Sequence, residues 1–235
     1  MLRRTRAPLF AFALAAFAAP ALAAPAALTP EQVAELYLRV ALAHDAEAGK
    51  RLNDYLKPAF DGKDAFDLAA LAAAPKTLDE SYATFADSVL SSLPKADPAQ
   101  AKPAIIAAMK SQANAVANAQ CKGVSNQQRP NDVRPGQTIA TVTYRCQVPA
   151  LKGGLEQLMA DKGDPSSMST QALLEGFATY RKALEQPAAR RTVEGRIDLY
   201  GGDGQPWMTG SFAEAIDVVT DGMLNPPAAA PASAE

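Results

Sequence analysis

Only one histidine, two cysteines and one tryptophan occur among the 235 residues of the chain. Each scarcity removes a class of chemistry. With His44 alone, no metalloprotease spacing and no histidine-based zinc set can be assembled. With only Cys121 and Cys146, there is no C-x-x-C redox motif and no thiolate cage for a metal. The sequence has no G-x-S-x-G elbow, no G-x-x-x-x-G-K-[ST] loop and no G-x-G-x-x-G turn, so neither a hydrolase nucleophile nor a phosphate cradle is signalled. Ser92-Leu93-Pro94-Lys95 matches S-x-x-K, but Pro94 interrupts the helical turn that would bring Lys95 beneath Ser92, and the companion S-D-N and K-T-G motifs are missing. No cofactor and no metal are expected on these grounds.

Positive charge is also short. The chain has 23 basic and 25 acidic residues, a net charge of −2 with histidine neutral. Long apolar runs are confined to the N-terminus. There, Arg3, Arg4 and Arg6 precede an apolar stretch from Leu9 to Ala19, Pro20 breaks it, and Ala21-Leu22-Ala23 fits the small-x-small cleavage rule. The apolar run falls well short of the roughly 20 residues a membrane-spanning helix needs. Residues 1–23 therefore read as a cleavable secretory signal peptide, with no membrane insertion afterwards. Removing them takes away three arginines and leaves 20 basic against 25 acidic residues, a net charge of −5. An acidic mature chain lacks the footprint that nucleic acid demands. Richness in alanine and proline is typical of GC-rich bacterial coding sequence, which makes the periplasm the expected compartment. In an exported chain, two cysteines favour a disulfide. Closing a loop of about 25 residues would stabilise the fold by roughly 3.5 kcal/mol in the chain-entropy model.

What is present is alternation of two periods. Thr29-Pro30-Glu31-Gln32 is a capping box, followed by Val33, Leu36, Tyr37, Val40 and Ala41 on one helical face. A second helix holds Leu52, Tyr55 and Leu56. Residues 61–76 are alanine-rich and ambiguous. Thr77-Leu78-Asp79-Glu80 predicts the start of another helix that buries Leu78, Tyr82, Phe85 and Val89. Asp97-Pro98 starts the next, with a kink or restart at Pro103 and a stripe of Ile105, Ile106, Met109, Ala113 and Val116. From Thr138 to Val148 the period becomes two, with Ala140, Val142, Tyr144, Cys146 and Val148 inward. Cys121 then pins either the end of the preceding helix or a short strand onto this sheet. Ser125–Gly136 reads as an exposed loop.

Helical spacing returns at Leu151, Leu155, Leu158 and Met159, and again at Leu173, Phe177, Tyr180 and Leu184. A hairpin follows, with Val193, Gly195, Ile197 and Leu199 inward, a Gly201-Gly202-Asp203-Gly204 turn and a return strand at Trp207 and Met208. A four-residue loop would set Met208 opposite Ile197 and Gly210 opposite Gly195, and two facing glycines would leave a groove or admit a close-packed helix. Ser211-Phe212-Ala213-Glu214 resembles a further capping box, opening a helix through Phe212, Ile216, Val219 and Met223 that stops near Gly222. The pattern predicts an α+β fold, helix-rich with a small antiparallel sheet and one disulfide. It forms one domain over 24–225, with a helical part at 29–120, a sheet-containing part at 121–225 and a disordered Pro/Ala tail at 226–235.

Two features invite a functional reading. His44, Asp45 and Glu47 form the one compact polar cluster at the end of an apolar face. His44 would serve there as a general base oriented by a carboxylate. Structurally, a histidine at a helix C-terminus complements the dipole, Asp45 caps the next helix and Glu47 sits favourably in its first turn. Trp207, facing away from Met208, implies either a covering helix or a partner surface. The segment Tyr37–Leu56 resembles the opening helical hairpin of NTF2-like domains, and the closing hairpin, Asp203-Gly204 followed by Trp207, is similar to that superfamily's last strands. The resemblance implies a curved sheet with a pocket, on which members build enzymes, binding modules or scaffolds. The expectation from the sequence is an exported, non-catalytic binding or interaction module for an unidentified protein or small molecule. The alternative is a pocket enzyme of NTF2-like type using His44 with Asp45 or Glu47.

Overall fold

The computed structural model describes residues 28–151, 167–202 and 204–225. The stretches expected as a signal peptide at 1–23 and a tail at 226–235, the helical spacing at Leu155, Leu158 and Met159, and Asp203 of the turn lie outside the described residues. Among the described residues the fold is α+β: six α-helices and one antiparallel sheet in the order β1-β2-β3-β4. None of those helices is long and apolar enough to cross a membrane.

Helix α1 (Pro30–Ala43) starts as expected. The Thr29 hydroxyl accepts from the Gln32 amide, and the Gln32 side chain accepts from the Thr29 amide. Nine of its fourteen residues are buried, including Ala34, Leu38 and Leu42 off the expected face. It is an interior helix, lying against the sheet on one side and against other helices on the rest. After it come α2 (Ala46–Leu56) and a 3-10 turn, Lys57–Ala59.

Helix α3 (Leu68–Ser91) corrects the expected start at Thr77. Asp67 caps it by accepting from the Ala69 and Ala70 amides, and the alanine-rich stretch carries the helix through Pro75. Likewise α4 (Pro98–Ala117) runs unbroken through Pro103. Both prolines sit on exposed faces, where the carbonyl left without an amide partner can be hydrated. Phe85, expected in the core, is 51% exposed, because α3 is an outer layer against α4 with only Ala86 fully buried.

The central strand β2 (Thr138–Pro149) has the predicted alternation, and Ala140, Val142, Tyr144, Cys146 and Val148 are all inaccessible to solvent. The first half of the stretch expected as a loop instead belongs to the edge strand β1 (Gln120–Pro130), leaving a short connection at 131–137. Cys121 stands directly opposite Cys146 in that ladder, and the two are bonded. The disulfide is therefore a staple between neighbouring strands, not a strut from a helix end. Helix α5 (Thr170–Glu185) packs on α4 and buries Leu173, Tyr180 and Leu184.

Strand β3 (Arg190–Gly202) continues further than expected, so the turn is tighter. Tyr200 pairs with Met208 and Gly202 with Gln205, which limits β4 to Gln205–Met208. Gly202 and Gly204 supply the positive φ values of 91° and 83° that this turn requires. Gly195 consequently has no glycine partner. It faces Tyr144 across β2 and β3, and an added β-carbon there would overlap the tyrosine hydroxyl. The expected groove is filled by that ring. Helix α6 (Ala213–Leu224) has Phe212 at its cap position, whose side chain cannot accept a hydrogen bond, so the expected capping box at Ser211 does not form; the Ser211 amide and carbonyl both engage the Thr209 hydroxyl. Gly222 does not stop it. The glycine lets the helix approach Val193, which an added β-carbon would overlap. The main apolar core draws its residues from Val33 to Met223, and a smaller cluster joins Leu93, Ala101, Met168 and Leu173.

The bridge should be complete and structural. Thiol titration of denatured, unreduced protein should find no free cysteine. Replacing Cys121 and Cys146 together with serine should lower the melting temperature by about 5–10 °C, from roughly 3 kcal/mol of lost stabilisation. An unchanged melting curve would contradict this.

Candidate functional site

At the end of the sheet, an open cleft of about 740 Å³ lies between two clamped segments. Its floor and one wall come from Tyr37 of α1, Leu56 of α2, Ile139 of β2, Tyr200 of β3 and Met208 of β4. Aromatic packing shapes the interior. The Tyr37 ring stands edge-on to Phe66 at a centroid distance of 6.0 Å and is tilted against Phe212 at 6.2 Å.

Asn53 fixes the first segment. It is only 2% exposed on the apolar face of α2, so both ends of its amide need partners. Its Nδ2 donates to the Phe66 carbonyl at 2.9 Å, and its Oδ1 accepts from the Phe66 amide at 2.8 Å. One helix turn thereby holds the 57–67 connection against the cleft and sets Phe60 and Phe66 along its wall. Nearby, the Tyr55 hydroxyl accepts from the Trp207 amide at 2.8 Å, which ties α2 to β4. Asn131 fixes the second segment, the turn between β1 and β2. Its side chain accepts from the Val133 amide at 3.0 Å and donates to Gln137 at 2.6 Å, while its own amide bonds to the Gln137 carbonyl at 2.8 Å. This turn presents Val133, 88% exposed, and Arg134 at the rim, with Arg129 beside them on β1. Neither guanidinium takes part in a hydrogen bond or ion pair among the described residues.

The sequence-based candidates lie elsewhere. His44 is the C-cap of α1, in the left-handed conformation at φ 51°, and its amide closes the helix onto the Val40 carbonyl. It is half-exposed, does not line the cleft, and no hydrogen bond joins its ring to Asp45 or Glu47. Asp45 is occupied as the N-cap of α2. One oxygen accepts from the Glu47 and Ala48 amides, and the other accepts from Arg39 Nε at 2.9 Å. Desolvation pushes the Asp45 carboxyl up, but the Ala48 amide, Arg39 and the Glu47 amide together hold it below the ordinary aspartate value. Glu47 is exposed in the first turn of α2. Trp207 is half-buried against the core, its ring over Gly201 and Gly202, and α2 is the helix that covers this end of the sheet. Among the described residues no group of three His, Cys, Asp or Glu side chains could hold a metal ion.

The sequence reading missed Arg129, Arg134, Asn53 and Phe66. For Asn53 a signal existed: it is the polar residue at helical spacing among Gly49, Leu52 and Leu56, all buried.

Two measurements check this geometry. Asn53→Ala should cost roughly 2–4 kcal/mol in equilibrium unfolding, because it strands two backbone groups of Phe66. Asn53→Asp should be at least as harmful, since a carboxylate would face the Phe66 carbonyl. In alkali, burial pushes Tyr37, Tyr144 and Tyr180 up to about 12 from an unperturbed 10.0, with a Thr209 backbone bond opposing it at Tyr37 and Glu214 adding to it at Tyr144. A raised folded-state value means the folded protein holds these protons longer. Their contribution to stability is full below pH 10, the unfolded value, and is lost as pH rises through about 12. Burial also raises Tyr55 and Tyr82, so tyrosinate absorbance should show Tyr37, Tyr144 and Tyr180 ionising last in the folded protein, and no such delay in denaturant.

Compared with protein-family models, with curated proteins and with solved structures, the chain matches none of them.

Proposed function

We propose that the protein is an exported, periplasmic, non-catalytic binding module that takes an apolar ligand in the cleft between the 57–67 and 131–137 segments. The observation that carries this reading is the cleft itself: about 740 Å³, walled by Tyr37, Leu56, Phe66, Ile139 and Phe212 and open at one side. That size falls within the range of small-molecule sites, and such sites are mostly apolar with a few placed polar groups. Export is supported by the arginine-led apolar leader at 1–23 and by a disulfide of the kind that persists in oxidising compartments. Similarity of Tyr37–Leu56 and the closing hairpin to NTF2-like domains supports the same reading, since a pocket against a curved sheet is what that likeness implies.

Catalysis has weaker support. The titratable side chains around the cleft are Tyr37, Arg129, Asp132, Arg134 and Tyr200, and none of them is hydrogen-bonded to another as a base to a nucleophile. An enzyme built on His44 would need that ring in the cleft, and it stands outside it.

Gly210 provides a clean test. It lines the cleft, its φ is not positive, and a β-carbon added there meets nothing within 4 Å. Gly210→Leu should therefore fill the cleft without straining the backbone. Nile red, an uncharged apolar fluorophore, should bind the native protein saturably at one site. Its affinity should fall about tenfold or more in the variant, with a melting temperature within about 2 °C of the parent. Equal binding by the two proteins would remove the cleft from consideration.

A further inference from the structure

Arg129 and Arg134 reach the same cleft from different elements. Arg129 is the penultimate residue of β1, opposite Ile139 in the ladder, and Arg134 belongs to the turn that Asn131 clamps. Both stand at the polar end of an otherwise apolar and aromatic wall. Neither is neutralised: Asp132, between them in sequence and also at the cleft, forms an ion pair with neither. Two guanidiniums and one carboxylate leave a single net positive charge at the rim of a chain whose overall charge is negative. A guanidinium presents paired N–H donors in a planar fork that matches a carboxylate, and such charge-assisted bonds strengthen where an apolar wall excludes water.

We propose that the ligand is an amphiphilic monocarboxylate. Its apolar body lies against Tyr37, Phe66 and Phe212, and its carboxylate is held at the rim by Arg129 and Arg134. This assignment rests on the binding reading above and adds the ligand class to it. One net positive charge suits a monoanion better than a doubly charged phosphate head. The exposed Val133 and Phe60 flank the opening, where they can close over the first carbons of the chain.

The test compares decanoate with decan-1-ol, which have equal chain lengths and differ in the charged head. Both are titrated into the mature protein by calorimetry or by displacement of Nile red. Decanoate should bind about tenfold more tightly than decan-1-ol at low ionic strength, and the gap should narrow with added salt. Arg129→Met with Arg134→Met should abolish the preference while leaving decan-1-ol binding unchanged. Each single variant should lose part of the preference, and the single variants carry the test if the double variant does not fold. Arg190→Met, which removes a positive charge at the opposite end of the sheet beside Pro149, should keep the preference. Equal affinity for decanoate and decan-1-ol overturns the carboxylate assignment and leaves the apolar cleft standing. A preference that survives in the double variant overturns the role of these two arginines. Tighter binding of decyl phosphate than of decanoate replaces the carboxylate by a phosphate. Failure of both ten-carbon probes to bind overturns the binding reading itself.

Discussion

Cys121 and Cys146 face one another across β1 and β2, and that covalent pair fixes which residue of β1 opposes which residue of β2. The constraint matters because β1 cannot fix its own register by burial. Its residues from Gly123 to Pro130 are mostly exposed, and a strand without an apolar face slips easily. Three further contacts act with the bridge. A bulge between Gly123 and Ser125 frees the Gly123 amide to donate to Glu35 at 3.1 Å, the Asn126 side chain donates to Glu31, and Asn131 closes the turn. Glu31 and Glu35 belong to α1, so the edge strand is held by a covalent bond on one side and by the central helix on the other. A one-residue slip would carry Arg129 from the position opposite Ile139 and turn its side chain to the other face. The position of a guanidinium at the cleft is thus a consequence of a disulfide eight residues earlier in the strand.

The other wall depends on a sharp corner. Helix α1 ends at His44 in the left-handed conformation, and Asp45 immediately caps α2 while binding back to Arg39. Those two residues, with Glu47, make the polar cluster that suggested a catalytic group. Their chemistry is spent on reversing the chain with its amides satisfied. The reversal lays α2 across the end of the sheet, where Asn53 reaches Phe66 and Tyr55 reaches Trp207. The tryptophan whose outward position suggested either a covering helix or a partner surface is in this way tied by its backbone to α2.

Legibility in the sequence followed the strength of the local signal. The box at Thr29 and the cap at Asp97 were readable because each is a specific side-chain hydrogen bond, and β2 because its two-residue period coincides with deep burial. Both cysteines were readable as a pair from their number. Strand β1 was not, because an edge strand with polar residues on both faces has no period and two prolines nearby read as loop. The start of α3 was hidden by alanines, which fit many structures, and by Pro75, whose lost hydrogen bond matters little on an exposed face. The β3–β4 register failed because Gly201 and Gly202 belong to the strand, with Trp207 packed close against both, and not to the turn. At the site, the gap has the same origin. Asn53, Asn131 and the two arginines act through neighbours distant in sequence, and no spacing rule brings Arg129 to Tyr37.

Under the proposed binding reading, a ligand lies in the cleft and not at the polar corner around His44. Backbone amide chemical-shift mapping of the isotope-labelled protein without residues 1–23 during decanoate titration tests that most directly. The account predicts saturating shifts confined to residues 57–66, 129–137, 200 and 208–212, with the amides of His44, Asp45 and Glu47 unmoved. Shifts centred on residues 44–47, or on the exposed face of α3 around Phe85, with the cleft silent, would contradict it.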